Sequence, residues 1–307
     1  LPICNGLSGS SYAALRCNTT GSYNTATGVG ALANNTTASN NTAVGYQAGY
    51  WNTTNSFVTY VGTYAGTNNL GANNTALGYG ALTSASSATG ANNTGIGYSA
   101  LNSISSGANN VAVGHQSLQA NTTASENTAV GYKAGYSNTT GTDQTFIGNN
   151  AGNATTTGSA NTAVGSNTFV TNSTGQDNSA FGVGALYAAT TASGNTALGR
   201  ATLRFNTTGA SNTATGYQAL YSNTTASNSV AIGYQALYTS NRTADTAANN
   251  TAVGSQAGYS STTSTTNVFV GIQAGYYNTT GNSNVMIGSN AGALSVNATT
   301  EIGRAHV

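Results

Sequence analysis

The sequence predicts an all-β fold, a parallel β-solenoid (β-roll) of about sixteen 17-residue rungs. Three observations predict it. A short phrase, clearest in NTAVGYQAGYWNTT at residues 41–54, returns in variants down the 307-residue chain. The glycine that closes each NTAxG phrase falls at 28, 45, 62, 78, 97, 114, 131, 148, 165, 182, 199, 216, 233, 254, 271 and 288; twelve of the fifteen intervals are 17, the others 16, 19 and 21. Thr, Val, Ile and Tyr fill the apolar columns while Gly and Asn interrupt every unit, a composition that suits short strands and turns and not helices. A unit too short to bury its own apolar face, repeated many times, is the signature of a solenoid. Each 17-residue unit has room for two short strands and two turns.

In chain order, residues 1–10 read as an N-terminal cap or fragment end, 11–300 as the repeat domain and 301–307 as foreign to it. The chain starts Leu1-Pro2 without Met, which suggests a processed or partial end. Its two cysteines, Cys4 and Cys17, fit either a terminal disulfide of a secreted protein or two unpaired thiols. The closing EIGRAHV abandons the repeat composition, and back-translated it resembles a sequencing-library adapter read in frame. It is expected to be an artefact of an environmental sequence whose true C-terminus is missing, so Glu301, Arg304 and His306 carry no functional argument.

Within the repeat, Asn stands four residues before the glycine in thirteen of sixteen units, as at Asn24, Asn41, Asn127, Asn161 and Asn284. Asn tolerates left-handed turns, and stacked Asn can ladder amide to amide. The residue before the glycine is Val, Ile, Leu or Phe in fourteen units and Thr in two. The residue two before it is usually Ala, but it is Tyr60, Phe146, Phe269 and Met286 in four units. Those four units carry Gly four after the glycine (Gly66, Gly152, Gly275, Gly292), and so do the units before them (Gly49, Gly135, Gly258, Gly275). A large side chain appears only where leucine is missing from its own rung and the one before. This is volume compensation in a close-packed interior, so the two columns should touch. Both faces of the NTAV strand are therefore apolar: one fills the lumen, and the other calls for a second layer or a second protomer.

Charged residues make up 4% of the chain and the net charge is +1, so there is no basic patch to hold nucleic acid and no apolar run long enough to span a membrane. No cofactor or enzyme is expected, because the convergent acids, bases and ligands of an active site are missing. His115 is the one histidine before the foreign tail. Glu126, Asp143 and Asp177 share the column five before the glycine, and Glu126 with Asp143, on adjacent rungs, forms a weak candidate Ca²⁺ site whose plainer reading is solvated turn acids. Tyrosines recur one and five residues after the glycine: Tyr46, Tyr50, Tyr132, Tyr136, Tyr217, Tyr221, Tyr234 and Tyr238. Those columns also hold Arg200, Arg204, Asn149, Asn153 and His115, so they face solvent at least in part. Such ladders stack on each other or on sugars. Asn18, Asn35, Asn52, Asn121, Asn138, Asn206, Asn223 and Asn278 begin NTT and Asn172 begins NST, all in one column. Plain turn chemistry explains them; on a eukaryotic secretory route they become N-glycosylation acceptors, and on either account the turn is expected to point outward. Threonine abundance also raises an ice-binding solenoid, although the NTT pairs are adjacent and not spaced along one face.

The phrases NSVAIG at Asn228–Gly233 and NNVAVG at Asn109–Gly114 resemble the head repeats of trimeric autotransporter adhesins, and the NTAVGYQAL-type array is similar to bacterial and phage tail-fibre-like repeat proteins. The resemblance covers about residues 11–300. It implies a parallel β-roll, usually trimeric, on a cell or virion surface, binding matrix or other cells. The expectation is thus a structural extracellular fibre with an adhesive surface that associates with itself, by end-to-end stacking or as a trimer. The alternative is a glycan- or matrix-binding adhesin head or tail-fibre shaft.

Overall fold

The computed structural model describes residues 13–84, 88–241 and 247–293 together with the short strand Ile302–Gly303. The chain divides into two compact units, Leu1–Thr157 and Gly158–Val307. The first contains β1 (Thr25–Thr27), β2 (Thr42–Val44), β3 (Thr59–Val61), β4 (Thr75–Leu77), β5 (Thr94–Ile96), β6 (Val111–Val113), β7 (Thr128–Val130) and β8 (Thr145–Ile147). The second contains β9 (Thr162–Val164), β10 (Ser179–Phe181), β11 (Thr196–Leu198), β12 (Thr213–Thr215), β13 (Val230–Ile232), β14 (Thr251–Val253), β15 (Val268–Val270), β16 (Val285–Ile287) and β17 (Ile302–Gly303). Within each unit every strand pairs in parallel with the next, as in Thr128↔Thr145 and Thr196↔Thr213. Each unit is a parallel β-solenoid. The odd spacings leave the register untouched: Thr59 pairs Thr75, Thr75 pairs Thr94 and Val230 pairs Thr251. Length differences are thus absorbed outside the strands. Of residues 301–307, only Ile302 and Gly303 are described; they pair with Val285 and Met286.

Each rung carries one three-residue strand, where the unit length had suggested two. The reason lies in the backbone. In the rung closed by Gly131, φ is positive at Gly131 (138°), Lys133 (52°), Gly135 (60°) and Asp143 (59°). Left-handed residues two and four after the glycine curl the segment that a second strand would need. Turn backbone in that segment still bonds to the neighbouring rung, for instance Leu118 N–H to the Ala134 carbonyl (3.0 Å) and Thr122 N–H to that of Thr139 (3.2 Å). At the closing position only glycine fits, because a Cβ on Gly45 would lie 2.5 Å from the Gly62 carbonyl oxygen.

The lumen is half apolar and half amide. Ala129, Ala134 and Leu118 have no exposure, and neither do Asn121, Asn127 and Asn138. The leucines four after the glycine take φ near +50° (Leu118, 48°). Left-handed backbone costs an L-residue about 1–2 kcal/mol, while full burial of a leucine side chain returns about 1.5–3 kcal/mol, so burial wins. The compensation read from the sequence is present in space. A Cβ on Gly135 would lie 2.8 Å from both Leu118 Cδ2 and Phe146 Cδ2, and one on Gly152 would lie 2.5 Å from Phe146 Cε1. Tyr60 fills the lumen beside Gly49 and Gly66 in the same manner.

The amide half corrects the outward placement of the NTT turns. Asn35, Asn52, Asn121, Asn138, Asn172, Asn206, Asn223 and Asn278 are fully buried, and Asn18 is half-buried. Each closes its own turn inward: Asn138 Nδ2 donates to the Gly141 carbonyl (2.8 Å), and Asn172 accepts from Gly175 N–H (3.0 Å) while donating to its carbonyl (3.1 Å). A glycan cannot be accommodated on an amide inside the lumen, so the folded rung is incompatible with glycosylation of this column. The column four before the glycine forms runs of amide ladder, interrupted at Val58, Gln144 and Ser229. Asn178 Nδ2 donates to Asn161 Oδ1 (3.0 Å) and to the Ala192 carbonyl (2.8 Å), and Asn178 Oδ1 accepts from Asn195 N–H (3.0 Å) and Asn195 Nδ2 (3.1 Å). Asn suits the site because its carboxamide offers two donors and two acceptor lone pairs.

Candidate interaction surfaces

The strand −3, −1 face looks outward. Alternation buries Ala129 and turns Val130 to solvent, and the same holds in rung after rung. Val44, Leu77, Val130 and Ile147 in the first unit are exposed, as are Phe181, Leu198, Ile232, Val253 and Ile287 in the second. This is a strip of apolar side chains spaced at the interval between adjacent parallel strands, about 4.8 Å. The strand threonines flank it: Thr42, Thr128 and Thr145 are half-buried.

The tyrosines form two kinds of column. In the first unit Tyr79, Tyr98, His115 and Tyr132 stack face to face, with ring centroids 5.4, 4.9 and 5.3 Å apart. In the second, Tyr221, Tyr238, Tyr259 and Tyr276 stack at 5.1, 5.1 and 5.0 Å with planes within 3°. Tyr217 and Tyr234 form a parallel pair at 5.7 Å. Tyr46 meets Tyr64 edge-on (5.3 Å), Tyr50 meets Trp51 edge-on (5.0 Å), and Lys133 Nζ sits over Tyr136 (5.2 Å). The sequence singled out Tyr46, Tyr50, Tyr132, Tyr136, Tyr217, Tyr221, Tyr234 and Tyr238, and the structure sets all of them in such contacts. Tyr79, Tyr98, Tyr259 and Tyr276 belong to the same columns and could have been found by the same spacing. Stacking also affects ionisation: desolvation, and then the neighbouring Tyr221 and Tyr259, hold the Tyr238 hydroxyl above its usual range.

Residues with chemical potential are engaged in architecture. His115 is sandwiched between Tyr98 and Tyr132. Glu126 and Asp143 occupy the exposed left-handed corner of successive rungs, at φ 62° and 59°. The Asp143 carboxylate accepts a hydrogen bond from Thr142 Oγ1 (2.7 Å). No group of three His, Cys, Asp or Glu that could hold a metal occurs among the described residues. Asp177 takes the same corner at φ 58°. Cys17 is buried and disulfide-bonded; Cys4 lies outside the described residues. Among the described residues no helix is long and apolar enough to cross a membrane. The first threonine of the NTT pair is also engaged: Thr122 Oγ1 donates to the Thr139 carbonyl (3.1 Å), and Thr139 Oγ1 to that of Thr156 (3.1 Å), while Thr123 and Thr140 are exposed. No family model, curated protein or solved structure matches this chain.

Proposed function

We propose that this chain is a non-enzymatic segment of an extracellular structural fibre, at a cell or virion surface, whose rungs associate laterally and present an adhesive face. The observation that carries the reading is the exposed apolar strip. Val130 and Ile147 stand on adjacent strands in register, in a chain of which 4% is charged. An apolar strip repeated at strand spacing is matched along its length by a partner of equal period, and a second copy has that period by construction. Contiguous exposed apolar surface of this kind marks an interaction site. The likeness to adhesin head repeats and tail-fibre arrays supports the surface location and the trimeric option.

The reading is tested with Val130→Lys combined with Ile147→Lys. The parent should assemble as its concentration rises in analytical ultracentrifugation, and the lysine variant should stay monomeric while keeping its β circular dichroism. A parent that remains monodisperse at high concentration would falsify lateral assembly. A second reading, a glycan- or matrix-binding head, is favoured by the exposed, coplanar tyrosine columns. The lysine variant separates the two, since it removes assembly and leaves the tyrosines intact. Ice binding has less support, because the first threonine of the NTT pair spends its hydroxyl between rungs, as Thr122 and Thr139 do.

A further inference from the structure

In the second unit, glutamines fill the slot between the two tyrosine columns and form a ladder. Gln273 Nε2 donates to Gln256 Oε1 (2.9 Å), Gln256 Nε2 to Gln235 Oε1 (3.1 Å) and Gln235 Nε2 to Gln218 Oε1 (3.0 Å). The ladder then stops, because the next rung has Ala201 where a glutamine would stand. On that same rung arginine replaces tyrosine in both columns, as Arg200 and Arg204. The result is a cavity of about 230 Å³ walled by Arg200, Arg204 and Ala201 on one rung and by Tyr217, Gln218 and Tyr221 on the adjoining one.

The side chains that line the cavity carry two cations, Arg200 and Arg204, among hydroxyl and amide groups. Its lining contains no Asp or Glu. Gln218 is the last member of its ladder: its Oε1 is taken by Gln235, and its Nε2 has no acceptor among the described residues. Arg204 is pre-positioned, since its guanidinium lies 4.8 Å from the Tyr187 ring centroid and passes over Gly184, which has no side chain to block it. Arg200 lies 5.9 Å from the Tyr217 ring. Arg200, Arg204 and Gln218 all line the cavity, and guanidinium and amide N–H donors match the oxygens of a carboxylate or a sulfate. Beside them, the exposed ring of Tyr217 offers an apolar face to a sugar. The volume is below that of drug-sized pockets, so it suits one ring and its acidic group.

We propose that this cavity is a subsite for an acidic saccharide unit, a uronate or a sulfated sugar, anchored by Arg200 and Arg204. The inference gives one rung of the tyrosine columns a ligand class, and so rests on reading those columns as an adhesive surface. It is tested by calorimetric titration of the full chain with three oligosaccharide series: oligogalacturonate, a sulfated galactan and a neutral galactan. At least one acidic series should bind ten-fold or more tighter than the neutral one, and sodium chloride should weaken it. Which acidic series wins assigns carboxylate or sulfate. Arg200→Gln with Arg204→Gln should lower that affinity at least ten-fold. Ala201→Gln should do the same without touching either arginine, by extending the glutamine ladder into the cavity; Gln already occupies this turn position at Gln116 and Gln218. Equal affinity for acidic and neutral series, or binding undiminished in Ala201→Gln, overturns the subsite while leaving the tyrosine-column reading in place. Absence of binding by all three series overturns both.

Discussion

At the scale of single residues, the lumen is governed by volume. Phe146 lies where Ala stands in most rungs, and the space for its ring comes from Gly135 and Gly152. A leucine at 152 is not excluded by backbone, because Leu118 and Leu101 take nearly the same left-handed φ in their own rungs. What excludes it is the Phe146 ring. Gly152→Leu should therefore overpack and destabilise by about 1–3 kcal/mol, and Phe146→Ala in the same chain should recover part of that loss. Denaturant unfolding of both variants checks the pair; equal stability of the single and double variants would mean that the columns do not compete for space. Tyr60 adds a pH dependence. Complete burial pushes its hydroxyl above the ordinary value of 10.0, and the nearby Asn74 amide only partly opposes this. Asn74 Nδ2 already donates to Asn69, Gly71 and Gly90, which leaves the hydroxyl without a hydrogen bond of good geometry. The fold thus favours the neutral phenol more than the unfolded chain does. That contribution is complete below pH 10 and is lost as pH rises above it, because the unfolded chain ionises first. Melting temperature should fall above pH 10, less steeply in Tyr60→Phe.

The element is the rung, and its legibility in the sequence was uneven. Sixteen near-copies in one chain act as their own alignment, so the strand, its register and the Ala/Leu/Gly compensation could be read before any coordinates. The second strand was overread, because the left-handed backbone two and four after the glycine is carried by Gln, Lys and Leu as well as Gly, residues that do not announce it. The NTT column was turned the wrong way because Asn satisfies a turn from inside as well as from outside. One signal was available. Three residues after that column's position, whether or not Asn fills it, stands Gly or Ala in most units, as at Gly107, Ala124, Gly141, Gly175, Ala192 and Gly209. Such restriction to small residues marks close approach of backbone, and the carbonyl of Ala124 indeed lies against Gly107. The other Asn column makes the rung cooperative. Asn178→Ala removes the bonds to Asn161, Ala192 and Asn195 together and leaves buried groups unpaired. An unpaired buried polar group costs about 1–3 kcal/mol. Hydrogen exchange should show the loss first at Asn195 N–H, while unchanged protection there would mean that water replaces the ladder.

For the whole molecule, the balance of forces is set by composition. Charged residues are 4% of the chain, so neither repulsion between copies nor ion pairing within them can be large. In each unit a rung contacts only its neighbours, and stability is a sum of rung and rung–rung contributions. Among the described residues the outward apolar strip is left uncovered by this arrangement, and the tyrosine columns remain partly solvated beside it. Association through that strip should carry the marks of apolar burial. Raising sodium chloride should change it little, because there is almost no charge to screen. Sulfate, which is excluded from protein surface, should strengthen it, and cooling from 25 °C toward 5 °C should weaken it, since the hydrophobic driving force near room temperature is entropic. Sedimentation of the full chain across these conditions separates the mechanisms. Dissociation by sodium chloride alone would point to the few arginines and acids as the contacts, whereas dissociation on cooling, reversed by sulfate, would place the contact on Val130, Ile147 and the residues in register with them.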